Sequence, residues 1–471
     1  MSFYKAGETK VRPGVYKRYE KTGTGNVPGA VYGVFAIPIH ADFGPVGVVT
    51  NFATDQVDEL KALYGTGGTV DAALALFDGG ATKVYAYRLG TGGTPATVEI
   101  TSANSNIIAT VSTKYPTDKS FNITIKPKLD DDKVKQILVY LGTELKETIN
   151  YVKSDNEKEA FVIAMNTSAY LKAVAGEGTG EVEAVTNKAL TGGTAPTVTV
   201  ESYSTAFDAF ESFKWNMLVL DTVETEVHSL AHAYIKRIFE DGALGVCTIG
   251  EPVTVDFQTR CSHASAFNDE KVIYLGSGFE DVNGKKVDGY LAIAKQAGII
   301  GSLASNTSAT HTVVSGAVNV LETLKKSQYE AAINNGMLLL SVNEAGQVWF
   351  DSGINTLVTP NENQDDGWKK IRRTATRFEM FDRITRAVAP LVGKIDCDDI
   401  GIGDVVIQGQ SVLDAMIAES KLHTGATFAE DTDLERGPDY AYFVIVADDL
   451  DSLEKIYLRY QFRFAAETTA E

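Results

Sequence analysis

Apolar and polar positions along the chain follow two periods, which predict helices and strands in turn. Residues 31–37 and 83–89 are short, nearly continuous apolar runs of strand length. Between them, residues 57–63 and 70–77 carry apolar residues at helical spacing, and Thr69 stands at a helix N-cap position. The alternation resumes further along, with helices predicted at 204–213, 224–240 and 290–302 and strands at 217–220, 245–249 and 271–276. This order indicates an α/β fold with a largely parallel sheet covered on both faces.

A different pattern interrupts the alternation from about residue 97 to residue 187. The stretch is rich in Thr, Val, Ile and Lys and has short period-two runs, which predict a small, mostly β module. Two similar turn-rich sequences bracket it, GTGGTP at 90–95 and LTGGTAP at 190–196. Two unrelated glycine turns are the alternative, but matching joints are expected where one domain is inserted into a surface loop of another. We therefore predict an N-terminal arm, a discontinuous core domain, an inserted β-rich outer domain and a C-terminal assembly domain, at residues 1–20, 21–94 with 192–356, 95–191 and 357–471.

Length and charge narrow the class of protein. A chain of 471 residues has room for about three domains. Because its formal net charge is −19, the protein is expected to bind nucleic acids and anionic membranes poorly. No stretch approaches the roughly 18 continuous apolar residues that cross a bilayer, and the first residues lack the apolar core of a signal peptide. We therefore expect no membrane insertion and no direct nucleic-acid binding. The three cysteines are far apart, which favours buried, reduced thiols.

The motifs that would indicate catalysis, a cofactor or a metal are weak or missing in the sequence. His228 and His232 have the i, i+4 spacing of a zinc-binding helix, but the residues between them lack the glutamate of H-E-x-x-H. There is no G-x-S-x-G nucleophile elbow and no Walker A loop. We therefore predict no catalytic residues, no cofactor and no metal. An α/β enzyme of hydrolase type with an unrecognised site is the alternative, and a cell-surface layer protein is a third reading.

Both ends of the chain carry candidate edge strands. Residues 455–464 alternate strictly between apolar and polar side chains, which predicts a strand that completes its own sheet or adds to a neighbour's. The side chains on its apolar face are Ile456, Leu458, Tyr460, Phe462 and Phe464. Near the N-terminus, Pro13 restricts a second extended segment to a sheet edge or an arm. The residues of this N-terminal motif are Val11, Arg12, Pro13, Gly14, Val15 and Tyr16.

A basic stretch lies at residues 368–386 of this acidic chain. Its seven basic residues are Lys369, Lys370, Arg372, Arg373, Arg377, Arg383 and Arg386. Against them stand Glu379 and Asp382, so the local net charge is 7 − 2 = +5. A solvated helix face with local ion pairs is the simple interpretation. The functional interpretation is a docking surface for an acidic partner.

Taken in order, these features resemble the tail sheath proteins of contractile phage tails and phage-tail-like bacteriocins. The resemblance rests on the RPGVY sequence at residues 12–16, the α/β core, the TGGT-bracketed insertion, and the basic helix with terminal strands after it. It covers essentially the whole chain. It is strongest to the compact sheaths of Gram-positive phages, defective prophages and bacteriocin particles.

The resemblance implies a fold, partners and a location. It implies a core similar to subtilisin in fold but without its catalytic residues, and exchanged terminal strands that link neighbouring subunits. Subunits would stack as six-fold rings around an inner tail tube, with baseplate and tail terminator proteins as further partners. Contraction would then drive the tube through a cell envelope without nucleotide hydrolysis. The resemblance also implies that the protein assembles in the bacterial host cytoplasm and becomes part of a virion tail or a released bacteriocin particle. The basic residues are the expected contacts to the tube.

Overall fold

The computed structural model describes residues 2–3, 16–17 and 32–462 of the chain. Its described part divides into two compact units. The larger contains Tyr32–Thr374 and the segment from Asp451 onward. The smaller contains Ala375–Leu450 together with the described residues 2–3 and 16–17. This division differs from the predicted domain boundaries, because it falls after Thr374 and returns the C-terminal segment to the larger unit.

The first half of the core contains two parallel strands joined by two helices. Its elements are β3 (Val34–Ile39), β4 (Val49–Ala53), α1 (Val57–Tyr64), α2 (Val70–Gly79) and β5 (Lys83–Arg88), preceded by the short strands β1 (Ser2–Phe3) and β2 (Tyr16–Lys17). The inserted stretch contains β6 (Thr97–Thr101), β7 (Ile107–Thr113), β8 (Phe121–Lys128), β9 (Asp131–Leu141), β10 (Glu144–Val152), α3 (Glu157–Asn166), β11 (Leu171–Ala175) and β12 (Val185–Ala189).

The second half of the core begins at residue 200. Its elements are α4 (Val200–Phe210), β13 (Met217–Val219), α5 (Thr225–Glu240), β14 (Val246–Gly250), α6 (Phe257–Phe267), β15 (Val272–Leu275), β16 (Phe279–Asp281), β17 (Lys286–Val287), α7 (Gly289–Ser302), β18 (Ala317–Val320), α8 (Lys326–Asn334), β19 (Met337–Leu338), β20 (Leu340–Val342) and β21 (Val348–Phe350). The smaller unit contains most of α9 (Ile371–Val388) and all of α10 (Asp399–Ala418), β22 (Thr427–Glu430) and β23 (Phe443–Val446).

The core is a seven-stranded sheet in the order β19-β15-β14-β13-β3-β5-β4. All neighbours are parallel except β4, which runs antiparallel to β5. Alternate residues of one strand face two different hydrophobic clusters: Phe35 and Ile37 face the cluster of α2 and α7, and Ala36 faces that of α4 and α5. The predicted α/β core with a parallel sheet covered on both faces is therefore confirmed.

Two of the covering helices cross at very short range. At the crossing of α2 and α7, a Cβ atom on Gly298 would lie 2.6 Å from the carbonyl oxygen of Leu76. Real side chains do not approach backbone that closely, so glycine is required there. The close crossing brings α7 onto the sheet beside α2.

The inserted stretch folds around its own hydrophobic core, with sheets in the orders β10-β9-β8-β12 and β11-β7-β6. Its two ends pair with each other through antiparallel bridges between Thr91 and Thr197, Thr94 and Thr194, and Thr97 and Thr191. The hydroxyls of Thr94 and Thr194 lie 3.0 Å apart. The two TGGT sequences thus form one joint.

A loop of the core also enters the inserted stretch. Phe43 packs in the inserted stretch's hydrophobic cluster, with its ring 5.2 Å from that of Tyr115. Arg88, at the end of β5, donates to the carbonyl oxygens of Ala41 (2.8 Å), Gly44 (2.6 Å) and Pro116 (3.0 Å). One buried guanidinium therefore ties the loop, the core sheet and the inserted stretch together.

The helix α10 bears on the expectation about membranes. Among the described residues it is the one helix that is long and apolar enough to cross a bilayer by length and composition alone. Core helices of soluble proteins pass the same test. Val412, Leu413 and Met416 of α10 are buried in the core of the smaller unit.

Candidate assembly surfaces

The C-terminal segment 451–462 forms no strand in this structure. Its apolar side chains are largely exposed, from Ile456 at 70% to Phe462 at 85%. Of the two roles that the alternation left open for this segment, pairing within the chain's own sheets is therefore not seen in the described part. Phe464 lies outside the described residues.

A small sheet in the smaller unit has open edges. β22 and β23 pair antiparallel, from Thr427 opposite Val446 to Glu430 opposite Phe443, and no third described strand joins them. One face packs on α10 through Phe428, which is buried. The other face exposes Tyr442, Val444 and Val446. Two strands alone are only marginally stable, and among the described residues no other strand covers the edges of this sheet.

The N-terminal motif is described only at its end. Tyr16 lies in β2, which pairs in parallel with β1 at Ser2 and Phe3. The other predicted arm residues, Val11, Arg12, Pro13, Gly14 and Val15, lie outside the described residues.

In the larger unit, the basic stretch is partly neutralised by carboxylates of the same unit. Lys369 pairs with Asp366 at 3.2 Å and Arg373 with Asp365 at 3.6 Å. Lys370 pairs with Asp451 at 3.4 Å and with Glu454. Arg372 has no ion-pair partner among the described residues.

In the smaller unit, the remaining basic residues are also paired. Arg377 lies 3.4 Å from Asp449, and Arg386 lies 2.7 Å from Asp382. Arg383 forms a bidentate pair with Glu419, at 2.8 Å for both bonds, and its hydrogen bonds lower the pKa of that carboxyl to about 2. Arg383 is only 2% exposed. In this conformation its guanidinium is used inside the chain.

A histidine–carboxylate pair that the sequence did not indicate lies at the carboxyl ends of β3 and β13, where ligands of open α/β sheets often bind. His40 Nδ1 lies 2.7 Å from Asp221 Oδ2. Tyr203 donates to the other oxygen of Asp221 at 2.9 Å, and the hydroxyl of Thr69 donates to Asp221 as well. The carboxylate raises the pKa of His40. Because the hydroxyl is bonded to the carboxylate and not to the imidazole, the group lacks the relay of a catalytic triad and instead joins β3, α2 and α4.

The two histidines of α5 do not form a pair. His228 is buried, whereas His232 Nε2 contacts Asp269 at 3.1 Å. Within the described residues, no group of three or more His, Cys, Asp or Glu side chains has the geometry to hold a metal ion. His228 therefore lies on the buried face of α5, and His232 is partly exposed beside Asp269.

The architecture corresponds to a known class. Residues 197–356 match the family model of the phage tail sheath protein central domain. The sheath tail protein of Desulfitobacterium hafniense has the same fold, with a TM-score of 0.72, 16% identity and coverage of 93% of this chain and 100% of that one. The sheath tail protein of Listeria innocua gives a TM-score of 0.66 at 16% identity, covering 90% and 97%.

Two further relatives extend the comparison. The contracted helical sheath of the anti-feeding prophage gives a TM-score of 0.56 at 11% identity, covering 96% and 99%. An uncharacterized protein of Bacillus subtilis, YqbK, is 23% identical over 377 residues, 77% of each chain. The fold of the chain is that of solved sheath tail proteins, and its residues 197–356 match the phage tail sheath central domain.

Proposed function

We propose that this chain is the structural subunit of a contractile sheath. It polymerises as stacked six-fold rings around an inner tail tube, between a baseplate and a tail terminator, and contracts to drive the tube through a cell envelope. It assembles in the bacterial host cytoplasm and acts in a virion tail or a released bacteriocin particle. The observation that carries the proposal is the exposed, alternating segment 455–462 in a chain that also holds a two-stranded sheet with open edges.

Strand exchange explains why both features are left incomplete in a single subunit. Ile456, Leu458 and Phe462 are exposed here, and their burial on a neighbouring sheet would remove apolar surface from water. The segment would extend the β22–β23 sheet of a neighbouring subunit, together with the N-terminal motif at 11–16. Main-chain hydrogen bonds would supply affinity and alternate side chains would supply register. Such a link survives rigid-body rotation of the subunits, as contraction requires.

The apolar face of the segment provides the test. We expect the variant I456S/L458S/F462S to remain folded, with the melting temperature of the parent, because these side chains are exposed in the single subunit. It should yield at least tenfold fewer sheaths by negative-stain electron microscopy. The matched control Y457S/R459S/Q461S changes the polar face of the same segment and should assemble normally. Normal sheaths from the first variant, or equal loss in both, would count against strand exchange.

We further propose that the exposed part of the basic stretch faces the tube. The residues available for this are Lys369 and Arg386, whose side chains are 35% and 33% exposed, and Arg372, which has no ion-pair partner among the described residues. The other four basic side chains are only 3% to 21% exposed; they are Lys370, Arg373, Arg377 and Arg383. Complementary charges on the sheath subunit and the tube would fix how the two align more than they would strengthen binding.

Charge reversal tests the tube contact. The variant K369E/R372E should bind tubes of the parent particle at least tenfold less well in co-sedimentation, and the loss should shrink as salt rises. The control K325E/K326E reverses two charges at the start of α8, where Lys326 is almost fully exposed. Tube binding by K369E/R372E equal to that of the control would contradict the proposal.

A further inference from the structure

The C-terminal segment is held to the larger unit at one place. The chain leaves that unit after Thr374 and returns to it after Leu450. Four residues beyond the return, Glu454 is half-buried, with a side chain 17% exposed, whereas Leu453 before it and Ile456 after it are 81% and 70% exposed. A single carboxylate therefore enters the protein from an otherwise exposed stretch.

That carboxylate is surrounded by donors. Glu454 Oε1 accepts hydrogen bonds from Ser308 Oγ at 3.1 Å, Thr310 Oγ1 at 2.9 Å and Ser452 Oγ at 3.2 Å. Glu454 Oε2 pairs with the ammonium group of Lys370. Lys370 also pairs with Asp451 at 3.4 Å, so one lysine holds both acidic residues of the returning chain. Burial is the largest single influence on the pKa of Glu454 and alone would raise it, but the hydrogen bonds accepted from Lys370, Thr310 and Ser308 together lower the pKa.

The residues that bind Glu454 are themselves fixed by the backbone of the larger unit. Thr310 Oγ1 accepts a hydrogen bond from the amide of Gly353 at 2.8 Å. The next residue, Ile354, forms a bridge with Lys370. The loop of His311 pairs with the backbone of Phe350 in β21. The site is therefore a preformed socket on the larger unit and not a contact between mobile side chains.

We infer that Glu454 is the anchor of the C-terminal arm. It fixes the point at which the exchanged strand leaves its own subunit, so that the free arm begins at Lys455. The preceding strand in the sequence, β23, lies in the smaller unit. A force that a neighbouring subunit exerts on the exchanged strand would nevertheless be transmitted through Glu454 and Lys370 to the larger unit. Lys370 is a positioning residue for the arm. The role of Glu454 in sheath assembly rests on the proposed strand exchange, whereas its anchoring of the C-terminal segment within one subunit does not.

Trypsin provides a measurement on the unassembled subunit. Cleavage after Lys455 needs the residues around Glu454 to leave the socket, whereas cleavage after Arg459 involves only residues beyond it. The variant S308A/K370M removes two partners of Glu454 and leaves both cleavage sites unchanged in sequence. We expect it to raise the rate of cleavage after Lys455 at least tenfold and the rate after Arg459 less than twofold. The control K326M, which removes an exposed lysine, should change neither rate.

Assembly is then measured on the same variants. S308A/K370M should retain the circular dichroism spectrum of the parent but form at least fivefold fewer, or visibly irregular, sheaths, whereas K326M should assemble normally. Unchanged cleavage after Lys455 would overturn the anchor. Faster cleavage with normal sheaths would overturn its role in assembly. If the parent chain forms no sheaths, the proposed function fails, and the ratio of the two cleavage rates still decides whether Glu454 holds the arm.

Discussion

The variant R88M should unfold with a free energy lower than that of the parent by about 3 kcal/mol or more. Arg88 is 1% exposed and donates to three carbonyl oxygens, one of them Pro116 in the inserted stretch. Burial lowers its pKa to about 10, so the guanidinium remains charged at neutral pH. Methionine fills similar space but leaves those carbonyls without donors. Urea unfolding followed by fluorescence measures the loss.

Two further variants separate this effect from a general loss of charge. Lysine at position 88 keeps the charge but lacks the planar fork that reaches three acceptors, so R88K should recover less than half of the loss. R237M removes an exposed arginine that pairs with Asp208 and Glu211, and it should cost less than about 1 kcal/mol. The joint at residues 90–97 should also become more sensitive to proteases in R88M. A stability for R88M within error of R237M would contradict the assigned role of Arg88.

Acid should destabilise the chain through His228. Burial, the largest cause, lowers its pKa from 6.5 to about 4, although the backbone at Thr222 acts in the opposite direction. Below pH 6.5 the unfolded state binds a proton that the folded state does not, so stability is lost as the pH falls from 6.5 towards 4. The expected loss between pH 7 and pH 5 from this group is about 2 kcal/mol. In H228Q, the free energy of unfolding measured between pH 7 and pH 5 should lack this loss.

His40 provides a control of opposite sign. Its hydrogen bond to Asp221 raises its pKa, so its contribution is fully present below the ordinary value and is lost as the pH rises through the raised one. The difference in stability between the parent and H40Q should therefore grow on acidification, while that between the parent and H228Q should shrink. If both differences change in the same direction, the assignment to His228 is wrong.

The sequence was sufficient to predict the core, because its signals are local. The apolar runs at 31–37 and 83–89 became the adjacent parallel strands β3 and β5, and helical periodicity located α2 and α5. The two TGGT sequences pointed to a joint that the threonine bridges form. Each of these inferences needed only a short window of residues or a repeated sequence motif.

The candidate sites were harder to predict, because their partners are distant in the sequence. The +5 charge of residues 368–386 counted only Glu379 and Asp382, whereas Glu419, Asp449 and Glu454 reach the same arginines and lysines through the fold. Arg88 and Asp221 likewise acquire their roles from backbone and side chains far along the chain. Alternation at 455–464 predicted a strand with one apolar face, but no local pattern says whether its partner strand belongs to the same chain.

The threonine joint has a consequence for how this protein can vary. Because Thr91 and Thr97 pair with Thr197 and Thr191, the chain enters and leaves the inserted stretch side by side. From the viewpoint of the core, the whole module is therefore equivalent to the tip of a hairpin. Its length and surface can therefore change without altering the path of β5 or β13.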